Sequence, residues 1–394
     1  MVKPAQPSDL DSTATLAYDP KATRIGYQVV RQWPDKSERM STLVKGIHHI
    51  TQCPGPAQQD VDFCTQVLGQ RLVKQTVLMD GNIPIYHFYY GNADAEPGSI
   101  ATSFPYNRKP GRAGSGQISI LSYAIPRGTI SFWKEHVERY GAAHGGIQER
   151  FARKYLRMRH PAGMFYEVVE ADDSRRPWAT RCISPDVATR GFFGAVMSVR
   201  SVEEQEQFFT DALGFRKLGV DGAYHRFEAA GGGPGSIVDL HHEPDRAPGS
   251  WGFGSGTFHH LAFSVDNDEA LFAQKALYEE LGYTDASDVK DRFYFHSLYV
   301  RSPGGILVEC TANVAGGFYQ DEAPEELGTR LNLPPWYESQ RAAIVSRLEP
   351  VTVPEENRPR RETRPFASPT AVPAGTSSAY SLSRTNPDFA RYQP

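Results

Sequence analysis

Two pairs of adjacent histidines are the residues of this chain best suited to chemistry. His48 and His49 lie in the segment Gly-Ile-His-His-Ile-Thr-Gln, and His259 and His260 lie in the segment Thr-Phe-His-His-Leu-Ala-Phe-Ser-Val. Each segment has the pattern of a short apolar strand with two imidazoles at its start. One such pair would indicate little, but two pairs in matching strand contexts predict a shared role.

A carboxylate completes the candidate set. Glu309 ends the apolar run Gly-Gly-Ile-Leu-Val-Glu, where an unpaired buried charge would be very costly and a divalent cation would neutralise it. Two imidazoles and one carboxylate leave about three coordination positions open, which suits Fe(II) or Mn(II) acting on O2 and an oxygen-bearing substrate. Structural zinc differs, because it closes all four positions, usually with cysteine.

These residues lie within a weak internal repeat of ~70 residues. Each unit has an opening strand, then an amphipathic helix, then strands interrupted by glycine or proline. The opening strands are predicted at residues 46–52, 117–124, 191–199 and 257–265, and the helices at residues 57–68, 130–140, 202–213 and 267–281. The pattern is β-α-β-β-β four times over, which makes the fold class α+β. Because such short sheets need a neighbour to cover them, the units should pair into two curved, barrel-like sheets.

The four units are not equally equipped for metal binding. The third has Gly-Phe-Phe-Gly-Ala-Val, at residues 191–196, where the histidine pair would be, and the second has Ile-Ser-Ile at residues 118–120. Glu167 ends the second unit, but without a histidine partner it is expected to face solvent or to be hydrogen-bonded. Units one and four should therefore share the sheet that holds the metal, and units two and three should form a metal-free companion.

The repeat also suggests a division of the chain. Polar, aperiodic sequence precedes the first unit, and a Pro-, Ser- and Ala-rich stretch follows the last one, a composition that cannot repay ordering. The predicted parts are an N-terminal extension (1–44), a first pair of units (45–173), a linker (174–189), a second pair (190–315), a helical segment (316–353) and a disordered tail (354–394).

The composition excludes several classes of protein. With 42 basic and 46 acidic residues the net charge is −4, so nothing favours nucleic acid or an anionic membrane as a partner. The four cysteines have no zinc-like spacing and are too few for a disulfide scaffold, which favours the cytoplasm. There is no apolar run of the ~20 residues needed to span a bilayer. The chain is expected to be an enzyme; its oligomeric state, a homo-oligomer included, is left open.

The four-fold organisation resembles the vicinal oxygen chelate (glyoxalase/extradiol dioxygenase) superfamily. More narrowly, the chain looks like the para-hydroquinone ring-cleaving dioxygenases, such as the 2,6-dichlorohydroquinone dioxygenases, over residues 45–314. The resemblance depends on the two histidine pairs, on Gly-Asn-Ile-Pro-Ile-Tyr-His (81–87), on His-Glu-Pro-Asp-Arg (242–246) with Gly-Ser-Trp (249–251), and on Arg-Ser-Pro-Gly-Gly (301–305) leading into Glu309.

The resemblance implies a role for each candidate residue. In that family the second histidine of each pair and the glutamate bind iron, which here gives His49, His260 and Glu309. The first histidines, His48 and His259, are implied to line the pocket beside the ligands without binding the metal. The remaining residues implied to line it are Thr51, Arg292 and Tyr299.

The activity implied is that of a non-haem Fe(II)-dependent dioxygenase that opens the ring of a hydroquinone or a related aromatic diol with O2. His48 or His259 would act as general base, Arg292 would stabilise negative charge, and Tyr299 would donate a hydrogen bond. Two alternatives remain open, a glyoxalase-like metal-dependent isomerase or lyase and an aromatic-compound binding protein. The isomerases tend to use two carboxylates, whereas only Glu309 is a good candidate here.

Overall fold

The computed structural model describes residues 44–78, 84–106 and 109–354. The predicted N-terminal extension and the predicted disordered tail lie outside the described residues, apart from Val44 and Pro354. The division of the chain into domains stays a prediction.

Sixteen strands and a few short helices make up the described chain. The strands are β1 Ile47–Cys53, β2 Arg71–Val77, β3 Tyr86–Gly91, β4 Ile100–Ser103, β5 Gln117–Ile125, β6 His144–Arg150, β7 Arg153–Arg159, β8 Phe165–Glu170, β9 Gly191–Val199, β10 Arg216–Asp221, β11 Tyr224–Glu228, β12 Ile237–His242, β13 Thr257–Ser264, β14 Lys290–Asp291, β15 Phe295–Arg301 and β16 Leu307–Asn313.

The four predicted helices are all present within a residue or two of their predicted ends. They are α1 Ala57–Asp62 continuing as a π-helical turn Phe63–Val67, α2 Ile130–Arg139, α3 Glu203–Gln207 continuing as a π-helical turn Phe208–Ala212, and α4 Asp268–Glu280. The π-helical turns occur at matching places in the first and third units, which supports the internal repeat. No helix within the described ranges is long and apolar enough to cross a membrane.

The strands form two curved eight-stranded sheets, as the repeat predicted. Sheet A has the order β14-β15-β16-β13-β1-β4-β3-β2 and joins the first and fourth units, whereas sheet B has the order β10-β11-β12-β9-β5-β8-β7-β6 and joins the second and third. In each sheet the opening strands of the two units pair antiparallel at the centre, β1 with β13 and β5 with β9. The prediction that units one and four share one sheet is confirmed.

A single hydrophobic cluster includes residues from both sheets and from the helices. Ile50 and Leu261 contribute from sheet A, and Leu121 and Met197 contribute from sheet B. Because successive strand residues face opposite sides, the neighbours of Ile50 on β1 are directed away from this cluster. They face a separate cavity within the curve of sheet A.

Residues 316–353 pack against sheet A. This segment contains 3-10 turns at Gly317–Tyr319 and Pro335–Gln340 and the short helix α5 at Arg341–Val345. Lys74 of β2 is fully buried and its ammonium lies 2.7 Å from a carboxylate oxygen of Asp321. A charge buried in this way is stable only with such a partner, so the ion pair holds the segment to the sheet.

Candidate metal centre

Both histidine pairs lie at β-bulges in the ladder that joins β1 to β13. On β1, His48 is an extra residue, because its two neighbours are opposite consecutive residues of β13; on β13, the same holds for His259. Adjacent residues of a regular strand face opposite sides of the sheet, but a bulge redirects one of them. Each pair of imidazoles is therefore in contact, with Nδ1–Nδ1 distances of 2.9 Å for His48–His49 and 2.8 Å for His259–His260.

The pairing of strands then brings the carboxylate to the second histidine of each pair. β13 and β16 run parallel with Glu309 beside Ala262, so Glu309 and His260 are neighbours, as the sequence predicted. Oε2 of Glu309 lies 2.9 Å from Nε2 of His260 and 3.4 Å from Nε2 of His49. One ligand atom from each of these three buried residues lies within 4.8 Å of the others.

The protonation states of Glu309 and His260 suit a cation. Burial would raise the pKa of Glu309, but the neighbouring His49 and His260 hold this pKa well below its usual range, so the carboxylate is ionised. Burial lowers the pKa of His260, which is therefore neutral at pH 7. An ionised carboxylate and neutral imidazoles are the forms in which these side chains bind metals.

The carboxylate is oriented by its second oxygen. Oε1 of Glu309 accepts hydrogen bonds from the hydroxyls of Ser297 and Thr311. Oε2 is buried and receives no hydrogen bond from the described residues, although two imidazole nitrogens lie close to it. A fully buried anionic oxygen without a donor is unstable. The residues therefore fit a metal ion, which would be bound by Oε2 and by the Nε2 atoms of His49 and His260.

A chain of hydrogen bonds determines which nitrogen of His49 is free to bind. Nε2 of His48 lies 2.9 Å from the side-chain oxygen of Asn313. Because this oxygen only accepts, His48 carries its proton on Nε2, and its Nδ1 accepts the Nδ1 proton of His49. The lone pair of His49 Nε2 is then directed at Glu309. Asn313 and His48 thus orient a ligand from outside the coordination sphere, a common arrangement in metal sites.

An aromatic cavity of about 410 Å³ opens in front of this cluster. Its lining includes Thr51, His259, Arg292 and Tyr299, which the resemblance implied. Thr51 is hydrogen-bonded to Nε2 of His260 at 2.7 Å. The guanidinium of Arg292 reaches the Tyr299 hydroxyl at 3.4 Å.

His48 lies behind the candidate ligand His49, outside the cavity. His48 is not among the residues that line the cavity, because its ring is held between His49 and Asn313. Burial, and then the neighbouring His49, lower its pKa to about 3, so it remains a neutral imidazole. His48 therefore contacts a candidate ligand rather than the space where substrate would bind.

The sequence alone assigns no role to three polar residues of this region, although His87 ends one of the motifs on which the resemblance depends. Asn313 follows Glu309 and Thr311 at alternate positions of β16, so all three side chains lie on one face. His87 and Tyr89 line the cavity from β3 in the same alternating way. The alternation of these polar residues along each strand was visible in the sequence. It indicates a shared face only when the strands and their partners are known.

The corresponding place in sheet B is occupied by ion pairs. Glu167 on β8 is fully buried between two arginines, with Arg157 Nη2 at 2.7 Å and Arg150 Nη2 at 2.9 Å. Arg157 is opposite Glu167 in the ladder, as Tyr299 is opposite Glu309. Arginine side chains thus fill the place of a cation in sheet B.

This cluster decides between the two alternatives expected for Glu167. Glu167 is hydrogen-bonded, as one alternative held, and the alternative that it faces solvent is wrong. Burial would raise its pKa, but the Arg150 and Arg157 guanidiniums outweigh burial and lower it to about 2.

Sheet B also has bulges, at Ser119 and Phe193, where sheet A has His259 and His48. The bulges therefore belong to the repeated fold, and only sheet A places histidines on them.

Comparison with known proteins gives several matches. The sequence model of the Glyoxalase/Bleomycin resistance protein/Dioxygenase superfamily matches residues 192–310. A chlorohydroquinone/hydroquinone 1,2-dioxygenase of Sphingobium indicum is 40% identical over 316 residues, covering 79% of this chain and 98% of the relative. MhqO of Bacillus subtilis, whose name assigns it a ring-cleaving dioxygenase activity, is 35% identical and covers 80% of this chain and 99% of its own length.

Solved structures agree with this. The crystal structure of a Bacillus subtilis protein described as a dioxygenase superposes with a TM-score of 0.75 at 35% identity, and covers 80% of this chain and all of the other. A mutant of glyoxalase I from Zea mays superposes with a TM-score of 0.51 at 15% identity, covering 71% of this chain and 96% of that one. The second likeness concerns the fold alone.

Replacing Glu309 should remove the metal, whereas the matched change in sheet B should not. We expect Glu309→Gln to retain little Fe(II) after anaerobic loading and desalting, because an amide cannot supply the negative charge. Glu167→Gln should retain the metal content of the original chain, measured per folded protein by elemental analysis, with circular dichroism as the check on folding. If folded Glu167→Gln loses the metal, the assignment of the site to sheet A is wrong.

Asn313→Ala should weaken Fe(II) binding about 10- to 100-fold, the usual effect of removing a group that orients a ligand. Asn313→Asp keeps an acceptor for His48 and should keep most of the affinity, as measured by competition with a chelator. Because both residues act through His49, combining Asn313→Ala with His48→Phe should weaken binding no further than His48→Phe alone. Additive losses in this cycle would contradict the proposed chain of hydrogen bonds.

The ion pairs of sheet B should make the unfolding free energy depend on pH in the acidic range. The pKa of Glu167 is depressed, so its contribution is present above the ordinary value of 4.5 and is lost as pH falls towards about 2. The contribution is on the order of 3 kcal/mol. We expect urea denaturation between pH 5 and pH 3 to show a steeper loss of unfolding free energy for the original chain than for Glu167→Gln. Equal slopes for the two proteins would refute this assignment.

Proposed function

This chain belongs to the glyoxalase/bleomycin resistance protein/dioxygenase superfamily and is a ring-cleaving dioxygenase, and we propose that it uses Fe(II) and O2 to open the ring of a hydroquinone. One observation carries the proposal. Two imidazoles and one ionised carboxylate meet at the wall of an aromatic cavity. This ligand set with open positions is typical of non-haem Fe(II) oxygenases; Mn(II) is the second metal that the ligands suit.

The cavity supports a small aromatic substrate. Its volume, about 410 Å³, lies at the small end of the range for ligand pockets. Aromatic side chains, among them Phe104, Phe253 and Phe295, form much of the lining. Such a surface favours a flat apolar ring, while the polar groups at the metal-binding wall favour a hydroxyl.

The reaction proposed is balanced by one O2 for each diol. The ring bond between a hydroxyl-bearing carbon and its neighbour breaks, and one oxygen atom of O2 is added to each of these carbons, which gives a ring-fission acid. When bound, Fe(II) supplies a Lewis acid for the substrate hydroxyl and the reducing electron that O2 needs. Binding both reactants in one cavity removes most of the entropic cost of their meeting.

His259 is placed to donate a hydrogen bond in this cavity. The short Nδ1–Nδ1 contact holds one proton, and this proton belongs to His260 when Nε2 of His260 is a ligand. Burial, and then His260, lower the pKa of His259 to about 3, so it is neutral and carries its own proton on Nε2. We therefore assign it the stabilisation of a deprotonated substrate oxygen, in place of the general-base role that the resemblance implied.

Arg292, which follows β14, and Tyr299 on β15 would act on the same charge. The Arg292 guanidinium is a permanent cation at the cavity wall and would stabilise negative charge as it develops. Burial raises the pKa of Tyr299, so its hydroxyl keeps its proton and is able to donate. Oγ1 of Thr51 lies 2.7 Å from Nε2 of His260. A metal on this nitrogen would take its lone pair, which would leave the Thr51 hydroxyl beside the open side of the site.

We also propose the cytoplasm as the location. All four cysteines are unpaired and three of them are buried, as expected where thiols are kept reduced.

Oxygen consumption tests the proposed function. Protein loaded anaerobically with Fe(II) should take up one O2 for each hydroquinone or substituted hydroquinone, and both atoms of labelled O2 should appear in the ring-opened product. Glu309→Gln should give no uptake beyond that of free iron. No uptake with any aromatic diol would support the isomerase or the binding-protein alternative instead.

A further inference from the structure

His87 forms part of the cavity wall that faces the candidate metal ligands. It lies on β3, which is separated from β1 by β4 alone. His49 on β1 and His87 line the same cavity, and its volume of about 410 Å³ has room for one aromatic ring. Hydrogen bonds between Thr102 and Thr51 and between Thr51 and His260 show that the intervening polar side chains are on this same face.

The proton of the His87 ring can be assigned from its neighbours. The hydroxyl of Tyr89 lies 3.0 Å from Nδ1 of His87. Tyr89 is fully buried and keeps its proton, because burial raises its pKa well above the usual range. Since a buried hydroxyl must donate to an acceptor, Tyr89 donates to Nδ1. Burial holds the pKa of His87 well below its usual value, so the ring is neutral and its single proton is on Nε2.

This Nε2–H group has no hydrogen-bond partner in the described part of the chain. The ring is otherwise firmly held, since it stacks on Phe104 with 4.0 Å between ring centres and 25° between the planes. A buried donor that lacks an acceptor is destabilising, and an oxygen of a ligand in the cavity could supply the acceptor.

We propose that His87 is a specificity-determining residue, which donates from Nε2 to the substrate oxygen that does not bind the metal. This inference rests on the proposed function and names the preferred diol. A 1,4-diol has its oxygens at opposite ends of the ring, so one can reach the metal ligands while the other reaches His87. A 1,2-diol has both oxygens at one end and leaves His87 without an acceptor. The residue would therefore select hydroquinones over catechols.

The test compares ligands with and without the distant hydroxyl. Calorimetry under anaerobic conditions would measure binding of hydroquinone and of 4-methylphenol to the Fe(II)-loaded protein and to its His87→Phe variant. Phenylalanine keeps the stacking on Phe104 and removes the donor. We expect hydroquinone to bind about tenfold more weakly to the variant, the effect of one hydrogen bond between neutral groups, and 4-methylphenol to bind equally to both proteins.

Two further variants separate this role from a structural one. His87→Gln retains an N–H donor near the same position and should keep most of the affinity for hydroquinone. His87→Phe combined with Tyr89→Phe removes the hydroxyl that loses its acceptor, and it should show the same ligand dependence as the single variant. This second variant serves if the first fails to fold.

The outcomes are distinct. If His87→Phe weakens the binding of both ligands equally, or weakens neither, the proposed role of His87 is wrong. The proposed function would still be supported by oxygen uptake. Failure of the original Fe(II)-loaded protein to bind any diol or to consume O2 would overturn the proposed function and this inference with it. In turnover, His87→Phe should raise KM for hydroquinone more than it lowers kcat, and should reduce the preference for hydroquinone over catechol about tenfold.

Discussion

Each sheet contains a buried glutamate whose negative charge must be compensated by a positive one. In sheet A, Glu309 has one oxygen that accepts from two hydroxyls and another that is directed at two imidazoles, so a cation is required to complete the site. In sheet B, Glu167 has the same place in the fold and obtains its positive charge from Arg150 and Arg157. Both solutions avoid an uncompensated charge in the interior, but only an exchangeable ion with open positions allows chemistry.

The bulges explain why the histidines come in adjacent pairs. A regular strand would place neighbouring imidazoles on opposite faces, and the second of each pair would then lack the partner that fixes its proton. At a bulge the first ring accepts from Nδ1 of the second, which leaves Nε2 of His49 and of His260 for the metal. The first histidines of the two pairs have different surroundings, because His48 is hydrogen-bonded to Asn313 while His259 lines the cavity.

The sequence was sufficient for much of this arrangement and insufficient for the rest. The repeat predicted four helices and two curved sheets. The histidine pairs and Glu309 predicted that the first unit pairs with the fourth, and the apolar setting of Glu309 indicated a metal. The position of His48, the role of Asn313 and the arginines around Glu167 were not predictable in this way. They depend on strand register between distant segments, which a local pattern leaves open, and a shift of one residue moves a side chain to the other face. His87 was hidden for the same reason, since its orphaned nitrogen is evident only when the surrounding wall is known.

The most direct test of the central claim is the position of the ion itself. A crystal of the protein loaded anaerobically with Fe(II), measured at the iron absorption edge, should show one strong anomalous peak within bonding distance of Nε2 of His49, Nε2 of His260 and Oε2 of Glu309. A peak bound by other residues, or these three side chains remaining in contact without an ion in metal-saturated crystals, would contradict the account.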